Sequence, residues 1–225
     1  MNILNQIVLE GIEQIGLTDF FKNKGFSDKT ITKYKLGYMP DGLINYSKYI
    51  EEDKKILSCY RYIIPDLNNK KEIGYLIARL EKKVADFQVP FEIDKHYFIG
   101  ANDRFIWNKK ALFQKKTVFI CETWTDALSV IDCGYDAIAL NRIVNIVDLW
   151  KTISNLKNSK LVIFCDNDFF GIKSNLNIAK MLSSLSIKFT YVDHFPRGIK
   201  DANEWMQYDR VNFAEILHEK YNELL

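Results

Sequence analysis

Apolar positions recur along this chain with two different spacings, and the change between them near residue 117 divides it. At the amino terminus, Ile3, Ile7, Val8, Ile12 and Ile15 fall on one face of a helix. Two short helices are expected next, ending near Gly25 and near Gly37, with Ser27 placed to cap the second. Met39-Pro40-Asp41-Gly42 marks a turn. The runs at 59–64 and 72–80 predict an antiparallel hairpin, joined by the polar Asn68-Asn69-Lys70-Lys71.

From residue 117 short apolar runs alternate with helical periodicity. Strands are expected near 117–121, 136–140, 161–165 and 188–192, with helices around 125–133, 144–156 and 170–185 between them. In the last of these, Ile172, Leu176, Ala179 and Leu182 recur at helical spacing. A further amphipathic helix is expected at about 210–222. Such alternation predicts an α/β fold with a parallel sheet covered by helices on both faces. The change of pattern suggests two domains, residues 1–115 and 116–225.

The strongest chemical signal lies at the ends of these strands. Leu161-Val162-Ile163-Phe164-Cys165 runs straight into Asp166-Asn167-Asp168, and Thr117-Val118-Phe119-Ile120-Cys121 into Glu122, with Asp126 four residues on. Lys200-Asp201-Ala202-Asn203 follows the last apolar run. Ligands of parallel sheets sit at the carboxyl ends of the strands. Acids delivered there from separate strands converge, and gathering them costs free energy unless a cation holds them. For Glu122 and Asp126 the simpler alternative is a strand-end acid and a carboxylate favoured by a helix amino terminus. For Asp166 and Asp168 a loop cap or a phosphoaspartyl hydrolase arrangement competes.

Composition narrows the setting. Apolar content of 48% and charged content of 27% belong to a globular chain. No apolar run approaches the roughly 18 residues that cross a bilayer, and the start lacks the pattern of a secretory signal, so the expected compartment is the cytoplasm. Cys59, Cys121, Cys133 and Cys165 are scattered, and His96, His194 and His218 share no ligand spacing; neither disulfides nor zinc are expected. Net charge is +2, unevenly placed: residues 1–116 hold 20 Lys and Arg against 15 Asp and Glu, residues 117–225 hold 11 against 14. A basic first half beside an acidic second half fits a polyanion surface next to a metal site, although ordinary surface variation gives the same imbalance.

Glu122, Asp126, Asp166, Asp168 and Gly171 together resemble the Toprim domain of bacterial-type primases, topoisomerases and certain nucleases. The upstream segments extend the likeness to a DnaG-like primase catalytic core. They are Phe21-Lys22-Asn23-Lys24-Gly25-Phe26-Ser27 with Thr30 and Ile31, Leu36-Gly37-Tyr38-Met39-Pro40, Tyr60-Arg61-Tyr62-Ile63-Ile64-Pro65, Ile73 to Arg79, Tyr97-Phe98-Ile99-Gly100 and Trp107-Asn108-Lys109. The resemblance implies a Toprim domain preceded by a smaller α+β primase-type subdomain. It departs from the pattern in having no amino-terminal zinc ribbon, little length for a closing helical bundle, Thr123 where glycine is usual and Ala202 where proline is common. Such gaps suit a compact primase of a phage or mobile element.

The resemblance further implies an enzyme that makes short RNA primers on single-stranded DNA from nucleoside triphosphates, using Mg2+ or Mn2+. Glu122, Asp166, Asp168 and Asp201 would be its catalytic and metal-binding acids, with Asp126 and Asn203 behind them. Asn203 stands where the family often has an acid. Arg61, Arg79 and Lys109 (with Lys110 as its neighbour) would contact nucleotide and DNA phosphates, Arg doing so through paired hydrogen bonds. A replicative helicase or a separate zinc-ribbon module is an implied partner. Two other readings remain at this stage: a Toprim nuclease using the same acids, and a non-catalytic replication accessory protein that binds DNA or helicase.

Overall fold

The structure is a computed structural model and describes residues 2–49, 54–67, 73–81, 83–84, 87–88, 93–100, 105–114, 116–156 and 160–225, without the side chains of 83, 84, 87, 88 and 143. In chain order the helices and strands are α1 (Ile3–Glu13), α2 (Phe20–Asn23), α3 (Asp28–Lys33), β1 (Gly37–Tyr38), α4 (Lys54–Leu57), β2 (Tyr60–Leu67), β3 (Ile73–Leu80), β4 (Lys83–Val84), β5 (Phe87–Gln88) and β6 (His96–Ile99). There follow β7 (Thr117–Cys121), α5 (Trp124–Asp132), β8 (Asp136–Ala139), α6 (Ile146–Ile153), β9 (Lys160–Phe164), α7 (Phe169–Ser184), β10 (Lys188–Tyr191), α8 (Ala202–Tyr208) and α9 (Arg210–Asn222). Short 3-10 turns, including Lys109–Phe113, punctuate the loops.

The chain forms two compact units, one of residues 1–21 and 31–103, the other of 22–30 and 104–225. The division falls before the expected 115/116 because Trp107 bridges to Ala139 at the margin of the second sheet, carrying the preceding residues into that unit. Residues 22–30 join it through polar bonds: the Ser27 N–H and hydroxyl donate to Asp132, and Arg210 donates to the Gly25 carbonyl and to Asp132.

In the first unit an antiparallel sheet in the order β1-β2-β3-β6 carries α1. Asn2 caps α1 through its side chain, and the helix buries Leu4, Ile7 and Val8 against Ile63, Leu76 and Ala78. The expected hairpin is present as β2 and β3; its connection at 68–71 lies outside the described residues.

In the second unit all strands are parallel, in the order β10-β9-β7-β8. The two central strands, β7 and β9, read as near-continuous apolar runs because helices cover both faces. Val118, Ile120, Leu161 and Ile163 on one face pack with Ile153, Ile178 and Leu182 of α6 and α7. Towards α8 and α9, Phe164 lies edge-to-face with Trp205 and near Phe213, all fully buried. The four strands fall within a residue of their predicted ranges, while β6 and α8 were not anticipated. All four cysteines are free thiols, three of them buried. Among the described residues no helix is long and apolar enough to cross a membrane.

Candidate active site

In the second unit β7 and β9 each run within a few residues into a helix, and a longer loop after β10 leads to the start of α8, so the acids of these three segments lie at helix amino termini. Thr123 caps α5, and its hydroxyl donates to Asp126 in the first turn. Asp168 caps α7, its Oδ1 accepting the N–H of Phe170 at 3.0 Å and of Gly171 at 2.9 Å. Asp201 caps α8 by accepting the Glu204 N–H at 2.7 Å. The helix dipoles favour carboxylates at all three positions. The backbone pins the loops together: Asn167 N–H donates to the Lys200 carbonyl at 2.7 Å, and Asn141 N–H to the Glu122 carbonyl at 2.7 Å.

The acids stand near enough to repel one another. Burial, then the charges of Asp126, Glu122 and Asp201, push the Asp166 carboxyl up to about 8. Burial and Asp201 push Asp126 up to about 7. Glu122 is raised by burial and by Asp168, and Asp201 chiefly by burial. Asp168 alone is lowered, first by the Gly171 N–H and also by Lys200, whose amine sits 3.2 Å from Asp168 Oδ2. Lys200 therefore partly offsets the cluster, and Lys24 does so at Asp201. The position of Lys200 next to Asp201 was visible in the sequence, but nothing there indicated that it would bridge to Asp168.

Glu122, Asp126, Asp166, Asp168 and Asp201 are thus gathered in one unit, but they are not equivalent. Asp126 is buried with both oxygens engaged, Oδ2 by Thr123 and Oδ1 by the Asn203 N–H at 3.2 Å. Asn203 is buried as well. Its amide donates to the Lys24 carbonyl and the Ser129 hydroxyl, each at 2.9 Å, and its Oδ1 accepts from Gln207 Nε2 at 2.8 Å. In this arrangement both residues brace the loops behind the acids, and the Asn203 oxygen is already occupied.

Donor chemistry fits a hard divalent cation, which takes oxygen ligands and usually one or two carboxylates. Glu122 Oε2 is buried with no hydrogen-bond partner, an orphaned acceptor in an acid-rich setting. Among the described residues, however, no three His, Cys, Asp or Glu side chains stand grouped as metal ligands. Asp168 is committed to its helix and to Lys200, so Glu122, Asp166 and Asp201 keep the more available oxygens.

This charge excess sets the pH dependence of stability. A carboxyl whose folded pKa lies above its unfolded value binds its proton more tightly when folded, so stability is greatest below the unfolded value and is lost as pH rises through the folded one. The metal-free protein is therefore expected to melt lower at pH 8.5 than at pH 5.5, by roughly 5 °C. Mn2+ should raise the melting temperature more at pH 8.5 than at pH 5.5. Differential scanning fluorimetry with and without EDTA checks both; a melting temperature that rises with pH in EDTA would contradict the acid repulsion.

The basic residues are placed differently. In the first unit, Arg61 pairs with Glu81 at 3.3 Å and donates to the Ser58 carbonyl, while Tyr62 donates to the same Glu81. Arg79, opposite Tyr62 on β3, has no carboxylate partner among the described residues; it lies 3.2 Å from His96 and over the Phe20 ring. Phe20 in turn stacks on Tyr62. In the second unit, Lys109 opens the turn Lys109–Phe113 and borders a cavity with Asp148, Lys151 and Thr152, which none of the five acids lines.

Residues 119–206 match the Toprim-like family model. No curated protein matches the sequence. Among solved structures, the zinc-binding and RNA polymerase domains of the Aquifex aeolicus primase superpose with a TM-score of 0.68 at 17% identity, covering 98% of this chain and 59% of that one. A DnaG catalytic core gives 0.62 at 12% identity, covering 96% and 77%. The primase fragment of the bacteriophage T7 primase-helicase gives 0.59 at 15% identity, covering 87% and 71%. Residues 119–206 are thus similar to Toprim-like domains, and the chain has the fold of DnaG-type primase catalytic cores while spanning 59% of the length of the Aquifex chain.

Proposed function

We propose that this protein is a primase-type nucleotidyltransferase core, joining nucleoside triphosphates into short RNA on single-stranded DNA. The observation that carries this reading is the gathering of Glu122, Asp166, Asp168 and Asp201 at the strand ends of a Toprim-like domain. The upstream unit, in a fold shared with primase cores along nearly the whole chain, favours primer synthesis over simple hydrolysis.

In this reaction a 3′-hydroxyl attacks the α-phosphorus in line. A new O–P bond forms, the bond to the β-phosphate oxygen breaks, and pyrophosphate departs. Glu122, Asp166 and Asp201, with Asp168 beside them, would hold Mg2+ or Mn2+, which when bound neutralises phosphate charge. The protein's own contribution is placement and electrostatics. Asp126 and Asn203 keep the acid-bearing loops in register. Glu122, whose Oε2 is buried without a hydrogen-bond partner, would serve either as a ligand of the divalent cation or, left free of it, as the group that takes the proton of the attacking hydroxyl. Lys200, half-exposed beside Asp168, is suited to meet an incoming phosphate.

Arg79, Arg61 and Lys109 are proposed phosphate contacts of unequal weight. Because Glu81 already neutralises Arg61, Arg79→Ala is expected to weaken single-stranded DNA or nucleotide binding about 10-fold and Arg61→Ala by less than about 3-fold. Fluorescence anisotropy at two salt concentrations reads the difference; equal losses would remove the distinction.

The Aquifex structure combines zinc-binding and RNA polymerase domains and the T7 fragment comes from a primase-helicase. A zinc-ribbon module or a replicative helicase is accordingly the proposed partner here, with cytoplasmic DNA as the template. Incubation with single-stranded DNA, labelled nucleoside triphosphates and Mg2+ or Mn2+, resolved on a sequencing gel, tests the reading. Short RNA is the expected product. Shortened DNA in place of RNA would identify a nuclease, and neither product even with helicase added would remove the enzymatic reading.

A further inference from the structure

The first two residues of α7, immediately after Asp168, are Phe169 and Phe170, and they are 74% and 62% exposed. A buried role is what phenylalanine at a helix start commonly has; here both rings project into solvent. They lie edge-to-face with centroids 5.5 Å apart, an arrangement that leaves aromatic faces open. Their backbone is held firmly, since Asp168 Oδ1 accepts the N–H groups of Phe170 and Gly171. The platform is therefore set by the same carboxylate that belongs to the acid cluster.

Two lysines stand on this side. Lys173 is exposed three residues on from Phe170, and Lys200 reaches Asp168 with its side chain 55% exposed. Further along α7, Ile172 and Leu176 belong to a separate feature: with Phe189 and Tyr191 they border a cavity of about 500 Å3 whose rim carries Asp166 and Asp193. The platform itself is bordered by Asp168, whose charge Lys200 meets, and by Lys173, so amines stand within reach of a polyanion there. Exposed aromatic rings flanked by lysines suit one, because bases stack on ring faces in any sequence while amines meet the phosphates.

We propose that Phe169 and Phe170 form a stacking platform for a base of single-stranded DNA at the edge of the acid cluster. The identity of the nucleic acid rests on the primase-type reading; the contact itself is tested without catalysis. A base seated there lies beside Asp168 and Lys200, so the platform would hold the strand at the entrance to the reaction centre.

The test compares the protein with the double variants F169L/F170L and F169Y/F170Y, in EDTA at low salt, using a fluorescein-labelled oligothymidine and a second oligonucleotide carrying 2-aminopurine. Leucine keeps an apolar side chain but removes the ring face, whereas tyrosine keeps the face. The leucine variant is expected to bind about 10-fold or more weakly and to lose the 2-aminopurine quenching, with the tyrosine variant within about 2-fold of the parent. Both positions are solvent-facing, and melting curves of the two variants confirm that the fold is kept. Equal binding by the leucine variant overturns the proposal, as does a parent protein that does not bind oligothymidine. If the leucine substitutions change only self-association in sedimentation, the face is a protein contact and the proposal also falls. Primer synthesis together with equal binding would defeat the platform and leave the enzymatic reading; stacking without synthesis would do the reverse.

Discussion

Asp166→Asn is expected to reduce primer synthesis by about a thousandfold or more, as loss of a principal electrostatic group in a phosphoryl-transfer site does. The same substitution should raise the melting temperature of the metal-free protein at pH 8.5. The two effects have one cause. Asp166 is pushed up to about 8 by burial and by the charges of Asp126, Glu122 and Asp201, so above that pH the folded protein carries repulsion that an amide does not feel. Asparagine is nearly isosteric, keeps the loop geometry and removes the charge. The sign follows from linkage: the stabilising difference is greatest above about pH 8, narrows as pH falls below that value, and is gone only below about pH 4, where the carboxyl is protonated in the unfolded chain as well. Initial rates of primer formation and melting curves across pH 5–9 measure both halves. A variant that loses activity and also melts lower at pH 8.5 would show Asp166 to be a structural acid, and full activity would remove it from the reaction.

Gly171→Ala is expected to be severely damaging to the acid-bearing loop. A Cβ built at Gly171 lies 2.0 Å from the Asp166 carbonyl oxygen, 2.6 Å from its carbon and 2.8 Å from its nitrogen. These are backbone atoms of the loop that bears two of the acids, so no side-chain rotation relieves the collision. The first turn of α7 must move away, and the Asp168 cap and the Asp166 carboxyl move with it. A cost of about 3 kcal/mol, the upper part of the range for overpacking, is expected, with a fall in melting temperature of roughly 6–12 °C and loss of synthesis. Gly16→Ala is the control, since nothing lies within 4 Å of a Cβ there. Urea unfolding of the two variants decides the matter; a stable and active G171A would mean that the loop yields more easily than its packing indicates.

Both predictions bear on the spacing Asp166-Asn167-Asp168-Phe169-Phe170-Gly171. Read as sequence, the spacing marks two acids and a glycine. In the folded chain each has a separate duty. Asp168 closes the helix amino terminus and pairs with Lys200, Asp166 carries the unrelieved charge, and Gly171 lets the helix settle on the Asp166 peptide. Asp201 repeats the capping arrangement at α8. The cap reading holds for both Asp168 and Asp201: one oxygen of each closes a helix amino terminus, and the second oxygen of Asp168 meets Lys200.

Much of the second unit was legible because its signals are local. Val118 to Cys121 and Leu161 to Cys165 are apolar runs long enough for a buried strand and too short for a helix, and each ends at an acid. Local pattern also placed α1 and α9. It missed α8, whose start depends on an Asp201 cap, and β6, whose four half-buried residues 96–99 are too short a run to mark a strand until they pair with β3. The upstream basic residues show the same limit. Arg61 and Arg79 look alike on adjacent strands, yet the acid at Glu81 reaches only the first.

By itself, then, the sequence determined the alternation of strand and helix, the parallel sheet and the delivery of Glu122, Asp166 and Asp168 to strand ends. Those follow from periodicity and from which residues a buried strand tolerates. Only the tertiary structure decided that Asn203 braces Asp126, that Lys200 answers Asp168, that Arg61 is neutralised, and that Phe169 and Phe170 face solvent. Each of these depends on where a hydrogen-bond or charge partner distant along the chain comes to lie, or on which side of a helix is left uncovered, and periodicity along one segment carries no information about either.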